Sequence, residues 1–138
     1  FWDGLRKNEP LMKFLRDNPK TFVFGELFGN TNRIKYKIPE VNRIAIFDIW
    51  KDGYYLSPQE SLDLARKNNI EFVPVLEESF EFTNVESIID MAEGKTLIPN
   101  AKQGTIREGI VVKPIKEIYD HKIGRISLKC HSPSFLLI

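Results

Sequence analysis

The chain has 138 residues, 42% hydrophobic and 28% charged, which is enough for one domain with a real core and too apolar for a disordered segment. Its 20 basic and 19 acidic side chains leave a net charge of +1, so the overall field neither draws nor repels nucleic acid and any basic footprint must be local. A single cysteine excludes an internal disulfide and fits a reducing, cytoplasmic setting; the residues also predict no structural zinc site, no membrane span and no signal peptide.

The first predicted element is a helix over residues 8–18. Asn8 caps it, Glu9 and Pro10 suit its first turn, and Leu11, Met12, Phe14 and Leu15 make one apolar face before Pro19 stops it. Residues 21–29 follow as a strand by their aromatic and β-branched content, with Phe22, Phe24 and Glu26 on one face and Val23, Gly25 and Leu27 on the other. A carboxylate in so apolar a segment is costly to bury unpaired, so Glu26 either faces a site or stands at a strand end in water. Residues 30–40 are polar, with Arg33, Lys35 and Lys37 spaced by two, and read as a loop or edge ribbon. Residues 44–50 are a nearly continuous apolar run, as expected of a central strand; Asp48 is its only charge, and Phe47 is expected in the core on ordinary grounds.

Asp52-Gly53 is a turn signal. Ser57-Pro58-Gln59-Glu60 is a capping box with proline at the first helical position, and it opens a helix through Leu62, Leu64 and Ala65 to about Asn68. Residues 71–76 return as a strand, at an edge because of Pro74. Thr83 and Asn84 cap a further helix with Glu86 in its first turn; Ile88, Ile89 and Met91 pack inward and Gly94 ends it. A loop over residues 97–105 leads on. This order predicts an α+β fold with a largely antiparallel sheet.

Residues 108–114 and 125–131 read as two strands joined by a polar connection. Gly109 and the run from Ile110 to Val112 suit a buried strand, which Pro114 ends for want of a ladder donor. In the second segment Arg125, Ser127, Lys129 and His131 face one way and Ile126, Leu128 and Cys130 the other. A carboxylate, a glycine and lysines gathered on neighbouring strands can hold a phosphorylated ligand with a metal; the plainer reading is a hairpin with a solvated basic face.

Phe24-Gly25-Glu26-Leu27, Phe47-Asp48-Ile49, Glu108-Gly109-Ile110-Val111-Val112-Lys113 and Leu128-Lys129-Cys130 resemble successive motifs of the covalent nucleotidyltransferases, the superfamily of ATP-dependent ligases and mRNA capping enzymes. The chain is most similar to the RNA ligases. Phe24 stands where DNA ligases and capping enzymes usually carry the aspartate of Asp-Gly-Glu, and residues 127–135 follow the RNA-ligase form. The resemblance implies an α+β, ATP-grasp-like nucleotidyltransferase domain, ATP with Mg²⁺ or Mn²⁺ as cofactors, and RNA ends as partners. It also implies roles. Glu26 would hold the nucleotide ribose or a water of the metal shell, and Phe47 would stack on adenine. Glu108 would organise the metal, directly or through water, while Lys113 and Lys129 would neutralise the triphosphate and the charge growing at the α-phosphate. His131 stands where the family often has a second lysine, so a fixed charge becomes one dependent on pH.

The family's reaction starts from the lysine of a Lys-x-Asp-Gly motif, and the 138 residues contain none. Phe1-Trp2-Asp3-Gly4 imitates it with a side chain that cannot be a nucleophile. The expectation is a single partial domain over residues 1–138, incomplete at its N-terminus, whose partners are the missing nucleophile segment and an accessory RNA-binding domain. Two alternatives stay open: a catalytically inactive nucleotide- or RNA-binding relative, and a DNA ligase or capping-type enzyme, against which the third and last motifs argue.

Overall fold

The computed structural model describes residues 2–30, 33–39 and 42–138. Two short helices open it, α1 (Trp2–Lys7) and α2 (Glu9–Asp17). The sequence pattern signals α2 and not α1, whose six residues bury no side chain and so leave no apolar periodicity to read. At α2 the Asn8 side chain accepts from the Leu11 amide at 3.2 Å, and Leu11 and Phe14 are buried.

Strands β1 (Thr21–Gly29), β2 (Asn42–Lys51) and β3 (Tyr54–Tyr55) form an antiparallel sheet in that order. Asp52 and Gly53 join the last two with φ of 52° and 103°, the paired positive values that a two-residue hairpin turn needs. One face of the sheet, with Val23, Leu27, Ile44, Ile46 and Ile49, packs on Leu11 and Phe14 and on Ala65 of α3 (Pro58–Lys67). The other face carries Phe28 and Ala45 into a second cluster with Ile34, Tyr36, Ile38 and Phe135.

A single irregularity decides which side chains reach that second face. The register passes from Phe24 opposite Asp48 to Gly25 opposite Ile46, so Phe47 is the extra residue of a β-bulge. Strict alternation from Ile44 and Ile46 would carry Asp48 into the helix-side core. The bulge sends Ile49 there instead and turns Asp48 to the face of Phe24.

The capping box of α3 forms as expected: Ser57 Oγ accepts from the Glu60 amide at 3.2 Å and the Glu60 carboxylate from the Ser57 amide at 2.8 Å. Residues 71–76 are not a strand. They make one parallel bridge, with the Ile46 amide donating to Glu71 O and the Val73 amide to Ile46 O, both at 2.9 Å; Pro74 has no N–H to extend it. Helix α4 (Val85–Ala92) is capped by Asn84, whose side chain accepts from the Ser87 amide at 2.9 Å. Ile88 is buried, but Ile89 is 40% exposed and stands off the inward face. Of the polar stretch at residues 30–40, Thr31, Asn32 and Glu40 lie outside the described residues; residues 33–39 form no strand and alternate between exposed and buried.

Strand β4 (Gly109–Val112) leads through a small hairpin, β5 (Tyr119–Asp120) with β6 (Gly124–Arg125), to β7 (Leu128–His131). β4 and β7 pair antiparallel from Gly109 opposite His131 to Val112 opposite Leu128, and α5 (Pro133–Leu136) follows. The continuous strand expected over residues 125–131 is thus two pieces with different partners. Leu128, expected in the core, is 47% exposed because it stands at the open end of a two-stranded ribbon, and Cys130 is half-buried.

Gly109 is where the ribbon is tightest. A Cβ there would lie 2.1 Å from the Cys130 carbonyl oxygen and 2.8 Å from His131 Cα. Gly109→Ala must therefore push β4 and β7 apart, and we expect a loss of about 1–3 kcal/mol, seen as a lower midpoint in thermal melting. An unchanged melting temperature would refute this close approach.

Candidate functional site

A cleft of about 730 Å³ lies between the second face of the sheet and the β4–β7 ribbon. Glu26, Phe47, Glu108, Lys113 and Lys129 all line it, although they are drawn from β1, β2 and the two ends of the ribbon. Tyr36, Asp48 and Arg107 join them, and an apolar wall with Phe72, Leu76, Met91 and Leu97 continues the cleft. His131 is not among the lining residues. Its ring stacks on Phe135, with centroids 5.3 Å apart and planes inclined by 16°.

The bulge places a charged network at the floor. Lys113 Nζ donates to the Phe47 carbonyl and to Asp48 Oδ1, both at 2.8 Å, and lies 5.5 Å from the Phe47 ring centroid. Asp48, only 6% exposed, also accepts from both terminal nitrogens of Arg125 at 3.1 Å. Arg125 grips Glu117 as well, at 2.6 and 3.0 Å, and its guanidinium sits 3.6 Å from the Tyr55 ring centroid. Burial pushes the Asp48 carboxyl up, but the hydrogen bonds and charges of Arg125 and Lys113 outweigh it and hold the group below the usual carboxylate range.

A second charged group stands at the rim. Glu108 Oε1 accepts from Lys129 Nζ at 3.3 Å and lies 3.7 Å from His131 Nδ1. With the Lys129 side chain 59% exposed, that pair is weak and free to exchange. Desolvation and then the neighbouring Glu108 push the Glu26 carboxyl up, with Lys129 offsetting part of the effect. Burial, Glu26 and Glu108 together push the Tyr36 phenol up to about 12, so it stays a neutral hydroxyl. Among the described residues no group of three or more His, Cys, Asp or Glu side chains gathers to hold a metal.

The arrangement offers an aromatic ring, a firmly held ammonium, a loosely held one and two facing carboxylates. Sequence reasoning missed Tyr36, Arg107 and the partners of Asp48. Tyr36 had a signal, since it is the middle apolar residue of Ile34, Tyr36 and Ile38, set between cations. Asp48 had one too, as the lone charge of its strand. Nothing local pairs it with Arg125, 77 residues away.

Asp48→Asn should leave the partly buried Lys113 without a counter-charge and Arg125 with Glu117 alone, and cost about 3–5 kcal/mol in urea unfolding at neutral pH. Because the folded pKa is lowered, the stability that Asp48 contributes is present above its unfolded value and lost as pH falls through the folded one. The variant should therefore show a flatter acid limb than the wild type. Parallel acid limbs would mean that Asp48 is not held in this way.

Comparison with known proteins agrees with the geometry. The RNA ligase family model matches residues 2–131. The fold is similar to that of Naegleria gruberi RNA ligase with pyrophosphate (TM-score 0.77, 26% identity), and to variants of that ligase with ATP and manganese (0.75, 27%) and with AMP and manganese (0.78, 25%). Each match covers 99% of this chain and 39% of the ligase chain. No curated protein matches the chain in sequence. With a family match that runs through nearly every element and all four motifs, the chain belongs to the RNA ligase family.

Proposed function

We propose that the chain is most of the nucleotidyltransferase domain of an ATP-dependent RNA ligase, which seals RNA 5′-phosphate to 3′-hydroxyl ends through a lysyl adenylate and an RNA adenylate. The observation that carries this reading is the convergence of Glu26, Phe47, Glu108, Lys113 and Lys129 on one cleft in a chain of this family. The relatives solved with ATP, AMP, pyrophosphate and manganese support a nucleotide and a divalent ion as its ligands. The 138 residues hold no Lys-x-Asp-Gly, so we assign the nucleophile to a segment outside them, and an accessory RNA-binding domain to part of the length that the matched ligase has beyond this chain. The single cysteine favours the cytoplasm. No helix among the described residues is long and apolar enough to cross a membrane.

In this reading Phe47 stacks on adenine, the bulge having taken its ring out of the alternation of the strand. Glu26 binds the ribose or a water. Lys113 has two acceptors fixing its ammonium, so it supplies a standing positive field beside the phosphates. Lys129 gives up its loose contact with Glu108 for the α-phosphate and meets the charge that grows there as pyrophosphate leaves. Glu108, with Glu26 beside it, would hold Mg²⁺ or Mn²⁺. The pair fits such an ion, because Mg²⁺ takes one or two carboxylates and keeps several waters, and a cation relieves the Glu108 repulsion that, after burial, raises the Glu26 pKa. When bound, the ion draws charge from the phosphoryl oxygens.

Two substitutions in the enzyme that carries the nucleophile segment test these roles. Lys129→Ala should fold normally, since the side chain is exposed, and self-adenylylate roughly a hundred- to a thousandfold more slowly. A near wild-type rate would overturn its assignment. Phe47→Ala should weaken ATP binding by about 1–3 kcal/mol while Phe47→Tyr preserves it; unchanged ATP affinity with a large fall in melting temperature would reduce Phe47 to a packing residue. A second reading, an inactive nucleotide- or RNA-binding relative, rests on the missing Lys-x-Asp-Gly. If the protein with its upstream segment takes no covalent AMP from labelled ATP, that reading replaces the first.

A further inference from the structure

Arg33, Lys35 and Lys37 take no part in lining the cleft, yet they are presented in an ordered way. Between them Ile34, Tyr36 and Ile38 are 6%, 8% and 3% exposed and belong to the second apolar cluster. The Tyr36 amide donates to Gly29 O at 3.2 Å, and its carbonyl accepts from the Lys102 amide at 2.8 Å. The segment is therefore pinned at every second residue, and the three exposed cations stand outward from it. Among the described residues no carboxylate pairs with any of them.

A row of solvated cations alone would mean little. Here a continuous set of contacts joins the row to the cleft. The Arg33 guanidinium lies 5.0 Å from the Phe135 ring centroid, Phe135 stacks on His131, and His131 stands 3.7 Å from Glu108 at the rim. Tyr36, which pins the row from within, lines the cleft itself. With a net charge of only +1, the overall field does little to draw a polyanion, so attraction to one rests on local rows of this kind.

We propose that Arg33, Lys35 and Lys37 form a docking track for the phosphate backbone of a single RNA strand entering the cleft, an inference that rests on the RNA-ligase reading above. Successive cations are separated by two residues, at most about 7 Å of chain, which is the scale on which phosphates follow one another along a strand. Contacts of this type fix register and direction without reading sequence. They release counterions, so their signature is salt dependence.

The test measures binding of the 138-residue chain to a fluorescent, 5′-phosphorylated single-stranded RNA over a range of salt concentrations. The comparison is with Arg33→Gln/Lys35→Gln/Lys37→Gln, and with Lys20→Gln/Lys67→Gln/Lys122→Gln as an equal loss of exposed charge elsewhere. Three lost phosphate contacts should lower the slope of log affinity against log salt by about 2, at about 0.7 per contact on single strands, and weaken binding alike for unrelated sequences. The control variant should keep the wild-type slope, and melting curves should stay together. ATP binding, measured on the same samples, should not respond to the track substitutions. An unchanged slope, an equal effect of the control, or no RNA binding by the wild-type chain would overturn the track, even if ATP binding upholds the nucleotide site. Loss of ATP binding with an intact salt response would instead remove the ligase reading and leave the track. Binding to phosphatidylserine vesicles that the track variant abolishes, with RNA affinity untouched, would also overturn it.

Discussion

One extra residue in β2 organises the charged half of this molecule. Without the bulge at Phe47, Asp48 would alternate into the apolar core beneath the sheet, where a carboxylate has no partner. With it, Asp48 faces the cleft and draws in Lys113 from beyond β4 and Arg125 from β6. A buried carboxylate is costly to desolvate, and only a full set of donors offsets that cost. Asp48 accepts three hydrogen bonds of 2.8 to 3.1 Å, all from cations that lie 65 to 77 residues away in the chain. The network thus joins the three-stranded sheet to the end of the ribbon and to the β5–β6 hairpin at one point.

The ribbon imposes a second constraint, one of distance. β4 and β7 approach so closely at Gly109 that a methyl group would meet backbone. That approach holds Glu108 beside Lys129 and lets the Ser132 amide donate to Glu108 O at 2.8 Å, while Ser132 Oγ reaches Arg107 O at 3.0 Å. Ser132 also caps α5 and sets Phe135 into the second apolar cluster beneath His131. Packing of the cluster and placement of the rim carboxylate are therefore coupled through three consecutive elements.

Much of this was legible in the residues where the cause is local. Caps at Asn8, Ser57 and Asn84 act within one turn, and the helices they open lie where their patterns put them. The alternation of Phe22, Phe24 and Glu26 against Val23 and Leu27 holds because β1 itself carries no extra residue. The residues of four short motifs meet in one cleft because Phe47 sits at the bulge, Glu108 and Lys113 flank β4, and Glu26 and Lys129 lie within β1 and β7 on the cleft side. What escaped the sequence is what depends on remote partners. Residues 71–76 have strand composition, but with proline in their middle they find only Ile46 to bridge. Residues 125–131 alternate like one strand, yet Arg125 is claimed by Asp48 and Glu117, so the segment breaks into two pairings. The bulge leaves only an indirect trace, the lone charge of Asp48 at a position that strict alternation would bury.

The two lysines of the cleft are held in two different ways. Lys113 is only 18% exposed and is held by a carbonyl and a carboxylate at 2.8 Å, so its position is settled before any ligand arrives. Lys129 is 59% exposed with one long contact to Glu108. A cation already fixed loses no freedom when charge develops near it, and it serves best as a constant field. A cation held loosely by a carboxylate can leave it when a stronger anion enters. In the proposed reading, that departure would leave Glu108 free of its ion pair for a metal or a water. Glu26 and Tyr36 tighten that coupling. Burial, helped by the negative potential of Glu26 and Glu108, keeps the Tyr36 hydroxyl protonated, and Lys129 lowers the Glu26 pKa that burial and Glu108 raise. Moving Lys129 by a few ångströms therefore changes the electrostatics of both carboxylates, whereas Lys113, bound to Asp48 and not to them, stays outside that exchange.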